Sequence, residues 1–259
     1  MIESLNSPHV ARVKALIGSR GVKERKAVGQ FVAEGMQCAR EALTSSTGPK
    51  IETLYVTSNG RNKIEEVKDL SAVNVVDVSD EVMKEMSETI TPQGIVAICL
   101  IPRIKFESIA LNGSRKFIYL SEVQDPGNAG TILRSADAFA MDAVITSPGS
   151  VDMYSPKVVR STAGSLWHIP VFESVPIDEA LALGIKAFSL GAEGSKNLSQ
   201  YQLSGDTMAV FGNEARGLST GQNVESIEVV SISMPGNAES LNLSAAASIV
   251  MYHLSNMRP

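Results

Sequence analysis

The sequence predicts an α/β protein in two parts, a C-terminal domain built on a parallel sheet and a smaller N-terminal α/β domain. Three observations lead there. From Gln30 onward, short β-prone apolar runs alternate with amphipathic or charged stretches of helical period. The alternation lapses at 102–115, where PRIKFESIALNGSR is polar and marked by Pro and Gly, as an interdomain linker is. The run TMAVF at 207–211, bounded by Gly205 and Gly212, has the composition of a buried parallel strand that ends in a loop.

Taken in order, the chain opens on HVARVKALIGSRGVKERKAVG, where Arg12, Lys14, Arg20, Lys23, Arg25 and Lys26 are opposed locally only by Glu24. This stretch reads either as a solvated helix face with a loop or as a surface that contacts phosphates. FVAEGMQCAREAL then reads as a strand and an amphipathic helix. IETLYVTS, a charged helix, VNVVDVS, a short helix and the strand GIVAICLIP complete a domain at 1–101. After the linker at 102–115 the pattern resumes at 116–259: strand KFIYLSEV, loop QDPGNAG, helix TILRSADAFA, strand DAVITS, loop PGSVDMYS and helix PKVVRSTAGSL. IPVFES and further α/β units follow, ending in TMAVF, a strand expected at 226–234, and a helix within SLNLSAAASIVMYHL for which Ser240 is the expected N-cap.

Composition bounds the function. At 259 residues the chain has room for one large domain or two ordinary ones. No run approaches the roughly 18 apolar residues of a membrane span, and the N-terminus lacks the apolar core of a signal peptide, so the expected address is the cytoplasm. Cys38 and Cys99 stand apart without Cys/His clustering, which supports neither a disulfide framework nor a metal site and suggests buried thiols. A net charge of −5 argues against a generic polyanion binder while leaving room for a local basic surface. Neither GxGxxG after the first strand of the second domain nor GxxxxGK[ST] occurs, which disfavours dinucleotide enzymes and phosphate-loop NTPases. With three histidines and no nucleophile motif beside them, a triad hydrolase is disfavoured, and His168 reads as a packed core residue.

What remains is a set of polar loops at strand ends, the place where open α/β sheets bind ligands. QDPGNAG places Asn128 just ahead of a helix that carries Arg134, a combination suited to an anion. VFGNEARGLS and SMPGNAESLNLS deliver Asn213, Glu214, Arg216, Ser240 and Asn242.

Together, NAGTILRSADAF, VFGNEARGLS and MPGNAESLNLSAAA resemble in order and spacing the three motifs of the SpoU/TrmH family of RNA ribose 2′-O-methyltransferases. SLNSPHVARVKAL, FVAEGMQCAREAL and TPQGIVAI similarly resemble the family's ribosomal-protein-like substrate-binding domain. The resemblance implies a SPOUT fold with a C-terminal trefoil knot, which a residue-by-residue reading would not produce, because chains are as a rule unknotted. It implies S-adenosylmethionine as methyl donor, with Gly212, Ile232, Met234 and Leu241 at donor-binding positions and Leu190 and Gly191 lining the same pocket. It implies Asn128, Arg134, Glu214, Ser240 and Asn242 as the catalytic or substrate-positioning set, ribosomal or transfer RNA as partner, no metal, and a homodimer formed through the C-terminal domain. Ser233 departs from the pattern, which has proline there. A catalytically silent RNA-binding or ribosome-assembly factor on the same fold is the alternative.

Overall fold

The computed structural model describes residues 1–214, 216–218 and 227–257. The chain forms two compact units, one of Met1–Arg103 with Asp152–His168, the other of Ile104–Val151 with Ile169–Pro259.

The first unit opens with α1 (Pro8–Ile17), whose start is set by proline in its first turn and by the Ser7 hydroxyl accepting from the Val10 amide. Val10, Val13 and Leu16 form its buried stripe. The helix α2 (Gly21–Val28) stops at Gly29, which takes the left-handed conformation (φ 69°) that closes a helix without a Cβ penalty. There follow β1 (Gln30–Glu34), α3 (Met36–Thr44), β2 (Ile51–Val56), α4 (Ser58–Glu65), β3 (Val75–Asp77), α5 (Asp80–Glu85) and β4 (Ile95–Leu100). The four strands lie in the order β1-β4-β2-β3, with β4 antiparallel to both neighbours and β3 parallel to β2. The α/β alternation expected for 1–101 is present, on a mixed sheet.

The segment expected as a linker is more than a spacer. A turn of 3-10 helix at Phe106–Ser108 buries Phe106 against Phe117 and Phe172 at centroid distances of 5.8 and 5.3 Å, in the core of the second unit. A single aromatic in a polar stretch supplies no periodicity, so sequence reading missed it.

Next come β5 (Lys116–Leu120), α6 (Pro126–Ala138) and β6 (Ala143–Thr146). The following stretch, Asp152–His168 with α7 (Pro156–Ser161), belongs to the first unit and not to a continuous 116–259 domain. Its aromatics explain why: Tyr154 and Trp167 pack on Phe31 with centroids 5.0 and 6.1 Å away, and the Trp167 indole donates to the Pro49 carbonyl at 3.0 Å. His168, expected in the core, is instead exposed and hydrogen-bonded to Glu41 at 3.1 Å; its neighbour Trp167 takes the buried place.

The second unit resumes with β7 (Val171–Phe172), α8 (Ile177–Ala182), β8 (Lys186–Leu190), β9 (Lys196–Asn197), β10 (Thr207–Phe211), β11 (Glu228–Ser231) and α9 (Leu243–Asn256). Among the described residues its strands run β7-β6-β5-β10-β8-β11-β9, every pairing parallel. TMAVF is buried at every residue because β10 lies between β5 and β8 with both faces covered. The strand expected at 226–234 is shorter, at Glu228–Ser231, and Ser226 lies outside the described residues. So do residue 215 and 219–226, part of the passage between β10 and β11 on which the expected knotted threading rests.

Candidate active site

The site begins where β10 ends. Gly212 follows Phe211, and Asn213 pairs back on Gly217 through two backbone hydrogen bonds of 2.8 Å, curling the chain into a tight loop. That curl leaves no room at Gly212: a Cβ there would lie 2.5 Å from the Gly217 carbonyl oxygen and 2.6 Å from the Leu218 amide nitrogen. Glycine is required by this close approach. Asn213, nearly buried, holds the loop with its side chain, its Nδ2 donating to the Glu122 carbonyl at 2.9 Å and its Oδ1 accepting from the Arg216 amide at 3.2 Å. Glu122 is itself in the left-handed region (φ 53°), held by the Asn213 contact, by the Ser147 hydroxyl on its amide (2.8 Å) and by an ion pair to Arg216 (3.0 Å).

Two helix starts face this loop, and both correct the sequence reading. The N-cap of α6 is Asp125, whose carboxylate accepts the Asn128 amide at 2.7 Å; Asn128 lies inside the first turn. Pro126 explains the choice, since it suits the first helical position and so makes its predecessor the cap. The N-cap of α9 is Asn242 and not Ser240, with its Oδ1 accepting the amides of Ser244 (2.9 Å) and Ala245 (3.3 Å).

Relieved of capping, the Asn128 side chain bridges two others. With its oxygen committed to α9, Asn242 turns Nδ2 toward the Asn128 oxygen at 3.1 Å, and Asn128 in turn donates Nδ2 to Glu214 Oε1 at 3.2 Å. The cap thereby settles the orientation of both amides. Glu214 accepts in all three of its contacts, from Asn128, from the Asp125 amide at 3.4 Å and from the Gln124 amide at 3.5 Å. A continuous chain from Asn242 through Asn128 to Glu214 joins the loops after β5, β10 and β11.

Beside it opens a cavity of about 490 Å³ at the carboxyl ends of β8, β10 and β11. Leu190, Gly191, Gly212, Ile232, Met234 and Leu241 line it, together with Asn128, Glu214, Ser240 and Asn242. Asn213, delivered by the same strand end, lines it too, whereas sequence reasoning missed Ala192, Gly217, Leu218, Glu239 and Ala246; most sit beside motif residues, so their neighbours were the available signal. Arg134 is not brought in. It is exposed on α6, among the described residues makes no ion pair, and does not line the cavity of its own chain. Ser233 points elsewhere too, its hydroxyl accepting from Asn197 Nδ2 at 2.7 Å.

The N-terminal basic residues divide. Arg25 is buried and bound to Asp152 at 2.6 and 2.8 Å and to the Leu16 carbonyl, which removes it from any RNA surface. Arg12 pairs with Glu52 (2.7 Å) and Lys14 with Glu85. Arg20, Lys23 and Lys26 remain exposed and make no ion pair among the described residues. The acids that neutralise the others come from β2, α5 and the returning segment, beyond the reach of a local charge count. No group of His, Cys, Asp and Glu among the described residues could hold a metal ion. Both cysteines are free and buried, and burial pushes the Cys38 thiol up to about 11 and the Cys99 thiol higher still.

The cavity suits a nucleoside-sized ligand: its volume lies in the range of roughly 300–1,000 Å³ typical of small-molecule sites, with apolar walls and a few convergent polar groups. Fold and site thus define a two-unit α/β protein with a cofactor-sized pocket beside an amide–carboxylate chain at the ends of a parallel sheet. Comparison with known proteins makes this specific. Residues 115–252 match the SpoU rRNA Methylase family, and residues 8–97 match the MRM3-like substrate binding domain. The chain belongs to the SpoU rRNA methylase family. It is 33% identical over 235 residues to the 23S rRNA (guanosine(2553)-2′-O)-methyltransferase RlmP of Bacillus subtilis, covering 90% of this chain and 91% of that one. Among solved structures it is similar to an AdoMet-bound rRNA methyltransferase from Sinorhizobium meliloti, with TM-score 0.84, 27% identity, and 98% and 96% of the two chains covered. The SpoU methyltransferase AviRb from Streptomyces viridochromogenes in complex with AdoMet gives TM-score 0.83 at 25% identity, covering 98% of this chain and all of that one.

Proposed function

We propose that this protein is an S-adenosylmethionine-dependent methyltransferase acting on a ribose 2′-hydroxyl of ribosomal RNA. The observation that carries the reading is the cavity at the ends of β8, β10 and β11 with the Asn242–Asn128–Glu214 chain on its wall. Leu190, Gly191, Gly212, Ile232, Met234 and Leu241 would hold the donor. When bound, the donor supplies a methyl group on a sulfonium, open to in-line displacement by an oxygen.

The protein's part is alignment of the reacting oxygen and management of its proton. A ribose hydroxyl is a very weak acid, so negative charge on the oxygen needs stabilisation. Arg134 does this while gripping the phosphate beside the target ribose. A guanidinium cation has no lone pair to offer a proton, so the proton passes to a phosphate oxygen or water. Glu214, Asn128 and Asn242 orient the ribose as one hydrogen-bonded unit, with Ser240 beside them. A silent RNA-binding factor would have no use for that chain.

The N-terminal unit selects the RNA, with Arg20, Lys23 and Lys26 contacting phosphates. No helix of the described residues is long and apolar enough to cross a membrane. Two unpaired cysteines suit the reducing cytoplasm, where we place the enzyme. The enzyme works as a homodimer of its C-terminal units: α9 buries Ala247, Val250, Met251 and Leu254 in its own chain, yet leaves Ile249 and Tyr252 exposed at 41 and 61%, with Leu241, just ahead of its cap, exposed at 37%. A two-fold pairing on that face brings Arg134 of one chain to the donor of the other, which accounts for its position outside its own cavity.

The test is methyl transfer to ribosomal RNA from cells lacking the gene, with the product nucleotide mapped. Arg134→Ala should lower turnover at least about a hundredfold while leaving donor affinity within about twofold. Mixed dimers of Arg134→Ala and Asn242→Ala should regain part of the activity. Unchanged turnover in the first variant refutes the role of Arg134, and dead mixed dimers refute the shared site.

A further inference from the structure

We infer that the Asn197–Ser233 hydrogen bond is a latch that sets the donor affinity of this enzyme, with Ser233 a positioning residue that touches no donor atom. The inference rests on the donor reading of the cavity. Two walls of that cavity come from different segments: Leu190 ends β8 and Gly191 and Ala192 follow it, whereas Ile232 and Met234 follow β11. Ser233, between these two lining residues, does not itself line the cavity. It meets Asn197 at 2.7 Å.

Asn197 cannot turn away from this contact cheaply. Its Oδ1 caps the short 3-10 turn Leu198–Gln200, accepting the Ser199 amide (3.0 Å) and hydroxyl (2.8 Å), while its own amide donates to Gln200 (3.2 Å). With the oxygen so committed, only Nδ2 is left to face Ser233, and the serine hydroxyl is the acceptor. The rest of the 191–197 loop is tied to β11 up to this point. Gly191 donates its amide to the Val230 carbonyl at 3.1 Å, Ser231 Oγ donates to the Lys196 carbonyl at 3.2 Å, and Lys196 pairs with Glu228 at 2.7 Å. Gly194 runs so close to β11 that a Cβ would fall 2.5 Å from the Ser231 amide nitrogen. These ties all stop at Ser231. Beyond it, where Ile232 and Met234 form the second wall, Asn197–Ser233 is the hydrogen bond among the described residues that carries the register onward. The latch therefore holds the second wall at its distance from the first before a donor enters, and preorganisation of this kind appears as affinity.

The Ser233 amide donates no hydrogen bond among the described residues, so a proline there loses none and restrains the same segment through its fixed φ. That allows a rescue. Calorimetric titration of the full-length protein with S-adenosylmethionine and with S-adenosylhomocysteine should show Ser233→Ala binding about two- to tenfold more weakly, the range of one modest hydrogen bond. Ser233→Thr, which keeps the hydroxyl, and Ser233→Pro should stay within about twofold of wild type. The thermal midpoint of donor-free Ser233→Ala should move by less than about 2 °C, because the residue is exposed. On ribosomal RNA the variant's KM for donor should rise by the same factor, with kcat at saturating donor unchanged. Wild-type affinity in Ser233→Ala, or a fall in kcat with affinity intact, overturns the latch. Failure of the wild-type protein to bind either nucleoside instead overturns the donor reading beneath it.

Discussion

Replacing Gly212 by alanine tests the architecture of the site most directly. The added methyl would sit 2.5 Å from the Gly217 carbonyl oxygen, where ordinary carbon contacts need about 3.5 Å. The obstacle is backbone, so no side chain can swing aside. The chain from Asn213 to Gly217 must move by about an ångström, and its two 2.8 Å hydrogen bonds must stretch or break. Overpacking costs about 1–3 kcal/mol and the strained hydrogen bonds about 0.5–1.5 kcal/mol each, for a total of about 2–6 kcal/mol. In a protein of this size that lowers the melting midpoint by several degrees or more. Donor binding should fall more than about tenfold, because Gly212, Glu214, Gly217 and Leu218 all line the cavity and shift together. Differential scanning calorimetry and titration with S-adenosylmethionine read the two effects. Gly236→Ala is the control, since a Cβ there meets no atom within 4 Å and should be close to neutral. If Gly212→Ala melts and binds like wild type, the close approach at Gly217 does not shape this site.

Arg25→Ala leaves Asp152 buried beside no cation and should cost about 3–5 kcal/mol in urea unfolding, against under about 1 kcal/mol for Lys14→Ala at the exposed pair with Glu85. Neutralising Arg20, Lys23 and Lys26 together should weaken RNA binding and flatten its dependence on salt by up to three counterions; an unchanged slope would return these residues to a merely solvated face. Cys38 and Cys99 should resist alkylation at pH 8 until the protein unfolds. Burial raises both thiol pKa values, Cys38 to about 11, so the reactive thiolate is scarce below that pH in the native state. Rapid labelling of native protein by iodoacetamide would contradict the burial of these side chains.

The sequence alone was enough for the α/β class, the parallel C-terminal sheet and most of the residues at its strand ends. Those features have local causes: TMAVF is continuously apolar because β10 is covered on both faces, and glycine must follow it because the chain doubles back there. The motif resemblance added the family and its donor, which neither periodicity nor charge could supply. Tertiary structure decided how the polar residues divide their work. Asn128 and Ser240 each had the chemistry of an N-cap, but Asp125 and Asn242 took the caps, and this freed Asn128 to join Asn242 to Glu214 across more than eighty residues. Arg25 looked like its basic neighbours until Asp152, 127 positions away, came to rest on it. Phe106 belonged to a stretch too polar to suggest a core, and Trp167 rather than His168 took the buried place. Propensity and patterning act over a few residues. Which of several equivalent amides, cations or aromatics ends up capped, paired or buried depends on groups that only folding brings within hydrogen-bonding or packing distance.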